Sequence, residues 1–394
     1  MIFKTYKMED ALESLIDYRG KTPQKSDSGI MTLSAKSVRD GYIDYAQCYY
    51  ISEDEYNRFM VRGFPKIGDV LLTTEAPLGV TARLDRDDVA LAQRLLTIRG
   101  KEDVLDTGYL YYYLRSSVGQ AKLKERQTGT TVTGIKQAEF RKIEIEIPDI
   151  AEQKKIATIL GDIDCKIQNN KGINENLEQQ AAAYFYHQFI VNADPSWKEG
   201  TISDLGTVVG GSTPSKSNPE YYTDNGIAWI TPKDLSVDKS KFISHGADDI
   251  TELGLRNSSA SIMPAGTVLF SSRAPIGYIA IADGEVTTNQ GFKSVVPNSN
   301  VGTAFVYYFL KNALPTIENM ASGSTFKEIS GSAMRTVPAI IPDDESLQEF
   351  SDFCEPLFQQ QRTLEAENRS LAALRDSLLP RLMTGELDVS ELDL

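Results

Sequence analysis

The alternation of apolar and polar positions changes its period at two places in the chain, each time at the tripeptide Ile-Pro-Asp. In KIEIEIPD (142–149), isoleucines alternate with polar residues, as expected of a strand with one buried face. Pro148 cannot donate to a strand ladder, whereas Asp149 can cap helix amides, with Glu152 completing a capping box. We therefore predict a strand that ends at Pro148 and a helix that follows. The segment 336–354 repeats this pattern.

After each Ile-Pro-Asp, apolar residues recur in alternating steps of four and three, which is typical of a coiled coil. A helix of about 40 residues would be about 60 Å long. Because neither narrow stripe can be buried alone, the two helices are predicted to pack on each other in antiparallel orientation. The residues predicted to form this spacer are Ile156, Leu160, Ile163, Ile167 and Leu177 in the first helix and Leu357, Leu364, Leu371 and Leu378 in the second.

Four residues interrupt these stripes. Asn170, Asn174 and Asn368 occupy positions where Leu or Ile would be more stable, so they either fix the register of the helices or mark a solvated stretch. Pro356 would remove a backbone hydrogen bond from the second helix. We expect a kink or a break there, or a helix that begins only near Leu357.

Matching phrases in the two halves indicate a tandem duplication. Five phrases occur in the same order in both halves, at offsets between 191 and 198 residues. The matching pairs are GKTP (20–23) with GSTP (211–214), GDVLLTTEAPLG (68–79) with GTVLFSSRAPIG (266–277), LYYYL (110–114) with VYYFL (306–310), GTTVTGI (129–135) with GSTFKEI (323–329), and the two IPD turns.

The predicted fold is α+β. Two similar mixed α/β domains, related as a pseudo-two-fold tandem duplication, are separated by two long helices packed as an antiparallel coiled coil. The predicted boundaries are 1–149 for the first domain, 150–192 for the central helix, 193–343 for the second domain, and 344–394 for the distal helix and tail.

Composition narrows the possible environment and chemistry. The net charge of −14 argues against nonspecific coating of nucleic acid or of an anionic membrane. Three widely spaced cysteines suggest no disulfide framework, and no apolar run is long enough to span a bilayer. We therefore predict a cytoplasmic protein.

Candidate catalytic motifs are weak. The two histidines have no metal-ligand spacing, and RGKTP (19–23) lacks the upstream glycine of a phosphate-binding loop. NPEY (218–221) differs from the Asn-Pro-Pro-Tyr of amino-group methyltransferases at Glu220, and no glycine-rich cofactor loop accompanies it. We expect no catalytic residue, metal or cofactor in this chain.

Loops at equivalent places in both copies combine hydroxyl, glycine and basic residues. Such groups suit contacts to phosphates and base edges, although the same residues are also ordinary in turns. The candidate DNA-binding residues are Arg19, Lys21, Lys25, Lys36, Arg39, Thr128, Thr130, Thr131 and Lys136 in the first copy, and Ser215, Lys216, Lys233, Arg273, Ser322, Ser324 and Lys327 in the second.

The whole chain resembles the specificity (S) subunits of Type I restriction-modification systems. The resemblance is carried by GTISDLGTVVGGSTPSK (200–216), IPDIAEQKKIATILGDID (147–164), AAAYFYHQFI (181–190) and SLLPRLMTGELDV (377–389). It implies two target-recognition domains, each reading one half of a bipartite, asymmetric site in double-stranded DNA, with the two helices as a spacer.

The same resemblance implies partners. Two methyltransferase (M) subunits would dock on the helices, and restriction/translocase (R) subunits would join the full complex. Adenine methylation with S-adenosylmethionine would belong to the M subunits, so this chain would be non-catalytic. DESLQEF (344–350) departs from the helix start AEQKKI (151–156). Two alternatives stay open, a duplicated protein–protein adaptor without DNA readout and a solitary DNA methyltransferase.

Overall fold

The structure is a computed structural model that describes residues 1–129, 133–323 and 327–393. The chain forms two compact units. Unit 1 comprises Met1–Ile167 together with the C-terminal segment from Ser370, and unit 2 comprises Gln168–Arg369. Thr130, Thr131 and Ser324 lie outside the described residues.

Unit 1 contains eleven described strands and the start of a long helix. The strands are β1 (Lys4–Lys7), β2 (Leu12–Asp17), β3 (Ile30–Leu33), β4 (Val38–Arg39), β5 (Tyr42–Ile43), β6 (Tyr49–Ile51), β7 (Val70–Thr73), β8 (Thr81–Arg83), β9 (Val89–Leu91), β10 (Leu95–Gly100) and β11 (Glu144–Ile147). The helices are α1 (Met8–Ala11), α2 (Glu53–Phe59), α3 (Thr107–Arg115), α4 (Ser117–Glu125), α5 (Gln137–Arg141) and α6 (Ile150–Tyr186), of which α6 continues into unit 2.

Unit 2 repeats this plan. Its strands are β12 (Lys198–Thr201), β13 (Gly206–Gly210), β14 (Tyr222–Thr223), β15 (Ile227–Ile230), β16 (Phe242–Ile243), β17 (Asp248–Ile250), β18 (Val268–Ser272), β19 (Ile276–Ala282), β20 (Thr287–Thr288), β21 (Lys293–Pro297) and β22 (Pro338–Ile341). Its helices are α7 (Ile202–Leu205), α8 (Pro232–Val237), α9 (Glu252–Arg256), α10 (Thr303–Asn312), α11 (Leu314–Met320), α12 (Gly331–Arg335) and α13 (Asp344–Met383), of which α13 continues into unit 1.

Equivalent sheets form in the two units. The main sheet of unit 1 has the order β2-β10-β7-β8, and that of unit 2 has the order β13-β21-β18-β19-β16. A second sheet follows β6-β3-β9 in unit 1 and β14-β17-β15-β20 in unit 2. In each unit the first strand pairs with the strand that precedes the long helix, as β1 with β11 and β12 with β22, both antiparallel. The α+β duplication predicted from the sequence is confirmed.

The predicted start of the first long helix is confirmed in detail. The Asp149 carboxylate accepts the N–H groups of Ala151 and Glu152, both at 3.0 Å. The Glu152 carboxylate accepts the N–H of Asp149 at 3.3 Å. These reciprocal bonds form the capping box, which satisfies amides that have no partner within the helix.

The expectation of a break or a late start at Pro356 is wrong. Helix α13 runs without interruption from Asp344 to Met383. The proline is exposed, whereas Phe350, Cys354 and Phe358 around it are buried in the core of unit 2. Packing of this apolar face stabilises the helix more than the missing hydrogen bond destabilises it.

Within the described residues, none of the helices combines the length and apolar character needed to cross a membrane.

Candidate DNA interface and helical spacer

In unit 1, two loops are joined by backbone hydrogen bonds into one rim. The hairpin that begins at Thr128 closes on Gly134, with N–H to carbonyl distances of 2.7 and 3.0 Å. Gly134 also bridges to Glu75, and the N–H of Ile135 donates to Thr74 at 2.9 Å. Glu75 immediately precedes the turn that contains a cis Ala76–Pro77 bond. We call the described residues of the two loops, 74–77, 128–129 and 133–135, the rim of unit 1.

Unit 2 builds the same rim at equivalent positions. Ser322 and Glu328 exchange backbone hydrogen bonds of 3.0 and 2.9 Å, and Glu328 bridges to Arg273. The N–H of Ile329 donates to Ser272 at 3.1 Å, and the Ala274–Pro275 bond is cis. The rim of unit 2 therefore consists of the described residues 272–275, 322–323 and 327–329.

The two rims carry opposite charges at the residue before the cis bond. In unit 1 this residue is Glu75, and its carboxylate pairs with Arg94 at 2.7 Å. In unit 2 it is Arg273, and its guanidinium pairs with Glu328 at 3.4 Å. Lys293 lies 3.9 Å from Glu328, and burial lowers the pKa of its ammonium. A shared backbone frame thus presents different side-chain chemistry in the two copies.

The structure brings three of the candidate DNA-binding residues of unit 1 to its rim. The Arg19 guanidinium donates to the carbonyl of Ile135 at 2.6 Å, which ties the 19–25 loop to the hairpin. Thr128 and Lys136 lie at the two ends of the hairpin and are exposed. Lys21 is exposed in the loop that Arg19 begins.

Other candidates of unit 1 lie elsewhere. Lys25 stacks over the ring of Tyr49 at 4.8 Å, and Arg39 pairs with Asp44 at 3.5 Å. Lys36 is exposed in the turn before β4. Among the described residues, no hydrogen bond or ion pair joins these three cations to the rim.

In unit 2, Arg273, Ser322 and Lys327 belong to the rim. Ser215 bonds to Ser217 at 2.8 Å in a separate exposed loop that also contains Lys216. Lys233 is exposed in α8.

Sequence reasoning missed several rim residues because their partners are distant in sequence. Glu75 and Glu328 in the rims, and their ion partners Arg94 and Lys293, were not candidates. Neither was Gln290, which lies outside the rim and whose amide oxygen accepts from a hydroxyl in the 210–216 loop. One signal was available, since aligning EAPLG with RAPIG sets a carboxylate against a guanidinium.

In unit 1, the first part of α6 packs on the last part of α13. Ile156 and Leu160 are buried in one core with Leu382, and Leu378 packs against it. The Asp164 carboxylate bonds to Arg375 of α13 at 2.8 Å. It also accepts the hydroxyl of Tyr112 at 2.8 Å and lies 3.6 Å from Arg115, both on α3. One carboxylate of α6 therefore bonds to both the second helix and the first globular domain, in addition to the hydrophobic core that they share.

In unit 2, the last part of α6 packs on the first part of α13, so the two helices run antiparallel. Leu177 is buried, and Leu357 is packed against the core of the unit, while Ile167, which belongs to unit 1, is also buried. The remaining predicted spacer positions are half-buried, namely Ile163, Leu364 and Leu371.

The asparagines in the stripes make direct contacts between the helices. The Asn170 amide is fully buried and donates to Asn368 at 3.0 Å and to Glu367 at 2.8 Å. The carbonyl of Asn174 accepts the Gln361 amide at 3.0 Å. The pair of Asn170 with Asn368 favours the role in fixing register over the solvated stretch, whereas in its bond with Gln361 Asn174 contacts α13 through the backbone carbonyl only.

A buried ionic cluster attaches the second globular domain to both helices. Lys241, which is 8% exposed, forms an ion pair with Glu178 of α6 and bonds to Gln361 of α13 at 2.6 Å. Glu178 also accepts Lys311 at 2.5 Å and the Tyr308 hydroxyl at 2.8 Å. Tyr308 and Lys311 on α10 correspond to Tyr112 and Arg115 on α3, so the same element docks a carboxylate of α6 in each unit.

Ionisation in this cluster follows from burial and pairing. Burial raises the pKa of Glu178, but the charges of Lys241 and Lys311 outweigh it, so the pKa is lowered overall. Burial lowers the pKa of Lys241, and Glu178 only partly opposes this. Glu365 of α13 accepts the backbone N–H groups of Lys241 and Phe242 at 2.8 and 3.1 Å, and burial raises its pKa.

Comparison with known proteins gives a consistent result. A family model described as Type I restriction modification DNA specificity domain matches residues 12–179 and again 195–373. The MjaIX specificity subunit of a Type I restriction enzyme from Methanocaldococcus jannaschii is 40% identical over 178 residues, 43% of this chain and 41% of that protein. The HindI specificity subunit from Haemophilus influenzae is 24% identical over 77% of this chain and 82% of its own length.

A solved structure shows the same fold. The S subunit of a Type I restriction-modification system from M. genitalium superposes with a TM-score of 0.61 at 18% identity, and the match covers 96% of each chain.

Proposed function

Because the chain belongs to the Type I restriction modification DNA specificity family, we propose that it selects the DNA sequence on which a Type I complex acts. Each globular domain reads one half of a bipartite, asymmetric site in double-stranded DNA. The proposed target-recognition domains are residues 1–149 and 193–343, and the helical segments 150–192 and 344–394 form the spacer.

One observation carries this proposal. The two rims share their backbone hydrogen bonds and turns, yet Glu75 in the first corresponds to Arg273 in the second. A carboxylate accepts hydrogen bonds from bases such as cytosine, whereas a guanidinium donates to guanine. Two rims that share a backbone arrangement but carry different side chains suit two different half-sites.

In this proposal, partner subunits supply the catalytic activities of the complex. We propose that two methyltransferase subunits carry the chemistry and that restriction/translocase subunits join them in the cytoplasm. With a net charge of −14, the isolated chain has little cationic surplus for phosphates. We therefore expect weak DNA binding by the chain alone and much stronger binding by the complex.

A groove of about 470 Å³ beside the end of α6 suits the docking of a methyltransferase subunit. Its lining is mostly apolar and consists of Gln180, Ala183, Tyr184, His187, Gln188 and Phe353. Ala183→Arg would fill this groove, and we expect it to remove about one of the two methyltransferase subunits from the purified complex. Ala247→Arg, a substitution at another exposed alanine of unit 2, should have no effect. Equal loss in both variants would contradict this docking site.

The decisive experiment is methylome sequencing of cells with and without the gene. We expect one asymmetric motif with two defined halves and a fixed gap to disappear on deletion. Exchange of residues 1–149 for the corresponding domain of another family member should then alter one half of the motif only. An unchanged motif after the exchange would favour a protein–protein adaptor and contradict sequence readout.

A further inference from the structure

Residues 60–67, between α2 and β7 of unit 1, present three large apolar side chains to solvent. Val61, Phe64 and Ile67 are 65%, 59% and 65% exposed. Single exposed apolar residues are ordinary, but several in one short segment indicate an interaction site. We call this segment the 60–67 loop.

The 60–67 loop is fastened to the domain beneath it. The N–H of Arg62 donates to the hydroxyl of buried Tyr18 at 2.9 Å, and that hydroxyl donates to the carbonyl of Gly63 at 3.0 Å. The Arg62 guanidinium donates to the carbonyls of Asp17 and Arg19 at 2.8 and 3.2 Å. The loop therefore holds its apolar side chains outward, and a partner would bind with little loss of conformational entropy.

The positive charge of the 60–67 loop indicates that it binds a negatively charged partner. Residues 56–68 contain Arg58, Arg62 and Lys66 and no acidic residue, in a chain whose net charge is −14. Glu55 pairs with Arg58, whereas the nearest carboxylate to the Lys66 ammonium is that of Glu13, at 3.9 Å. The backbone N–H of Lys66 is held by Asp69 at 2.8 Å, while its side chain is exposed. Cations that flank exposed apolar groups suit a DNA duplex, because phosphates attract the cations and apolar side chains insert between base steps.

The 60–67 loop is also continuous with the rim of unit 1. Arg62 contacts the carbonyl of Arg19, and the Arg19 side chain contacts Ile135 of the rim hairpin. The apolar side chains thus belong to a surface that already contains candidate DNA-binding residues.

The equivalent segment of unit 2 differs. Between α9 and β18 (residues 257–267), the described large apolar side chain that is exposed is Ile262, at 44%, and the segment contains no lysine or arginine. The feature is therefore individual to one recognition domain, as expected of a contact that contributes to one half-site.

We propose that the 60–67 loop is a DNA wedge of the first recognition domain. Phe64, with Val61 and Ile67, enters a groove of the first half-site and contacts or partly unstacks a base step. Lys66 contacts a backbone phosphate, and Arg62 positions the loop. This inference rests on the proposed function of the chain.

The test uses the complex of this chain with the methyltransferase subunits of its own system. The probe is a 30-base-pair duplex that carries the methylated motif, with 2-aminopurine placed in turn at each step of the first half-site. Phe64→Ala should weaken binding about tenfold or more and abolish the fluorescence increase of unstacked 2-aminopurine. Phe64→Leu should retain most of the affinity.

Two further variants distinguish the phosphate contact of Lys66 from the insertion of Phe64. Lys66→Ala should lower the slope of log affinity against log salt concentration by about 0.9, without changing the fluorescence. Ile262→Ala, in the equivalent segment of unit 2, serves as the matched control and should change affinity less than twofold. Because Phe64 is exposed, its variants should melt at the temperature of the wild type.

Three outcomes would overturn the proposal. Wild-type affinity and fluorescence in Phe64→Ala would show that the loop is not a wedge. Loss of methyltransferase binding in place of DNA binding would make the loop a protein-docking surface. A wild-type complex that prefers no duplex sequence would contradict the proposed function itself, and the wedge with it.

Discussion

At the scale of single residues, Lys241 shows how much one buried charge depends on its surroundings. Its ammonium contacts a carboxylate on α6 and an amide on α13, and three aromatic rings surround it, with Phe358 nearest at 4.2 Å. An unpaired charge at such a position would be strongly destabilising. The two helices therefore supply the polar partners that stabilise the buried ammonium, and the same contacts hold the domain on the helices.

We expect Lys241→Met to destabilise unit 2 by about 3 kcal/mol, because Glu178 would stay buried with one cation fewer. Both tryptophans, Trp197 and Trp229, lie in unit 2. Their fluorescence during urea denaturation therefore reports this unit. The exposed neighbour Lys239→Met should change stability by less than about 0.5 kcal/mol. Equal effects of the two substitutions would rule out the ionic cluster as an anchor.

Glu178 gives unit 2 a dependence on pH. Its pKa is lowered from the ordinary value of 4.5, so its stabilising contribution is present above about pH 4.5 and is lost as pH falls through the lowered pKa. Glu178→Gln should be less stable at neutral pH, and its difference from the wild type should shrink in acid. The tryptophan denaturation midpoint, measured from pH 3 to 7, checks this expectation. A constant difference would contradict it.

At the scale of elements, sequence patterns predicted the features that depend on neighbouring residues. The capping box at Asp149 and the stripe through Ile156 and Leu160 could be identified because the interacting residues are three or four apart. The continuity of α13 through Pro356 could not be identified from the sequence, since it depends on core contacts made by Phe350 and Phe358. The ion pair of Glu75 with Arg94 was missed because nothing local links the two residues.

Pro356→Ala should stabilise α13 by about 1–3 kcal/mol, because it restores a backbone hydrogen bond and removes the clash of the ring with the preceding turn. The midpoint of urea denaturation, followed by tryptophan fluorescence, measures the gain. Glu355→Ala, at the adjacent exposed position, is the control and should be nearly neutral. No gain from Pro356→Ala would mean that the helix is already relaxed around the proline.

At the scale of the whole molecule, the two duplicated domains share one backbone arrangement and differ in the side chains that it presents. Backbone hydrogen bonds of the two rims are the same, and the side chains upon them differ. The sequence repeat alone predicted two related domains, but the register of short strands such as β1 with β11 needed the fold, since their partners lie far apart in the chain.

Independence of the two domains leads to a reciprocal prediction. Arg273→Gln should relax one half of the methylated motif, and Glu75→Gln should relax the other, each by about 1–3 kcal/mol of base discrimination if the side chain contacts a base pair. Methylome sequencing of the two strains measures both halves at once. Relaxation of both halves by either substitution would contradict independent readout.

The pairing of β1 with β11, and of β12 with β22, brings the entry and exit of each globular domain side by side. These ladders consist of main-chain hydrogen bonds, which form with almost any side chains. Homologous recombination with crossovers inside the paired strands would therefore replace a whole globular domain and leave the junction intact. A lineage could acquire a new methylation pattern from a single gene fragment, provided that the fragment keeps the residues that dock on α6, such as Tyr112 in the first domain or Lys241 in the second.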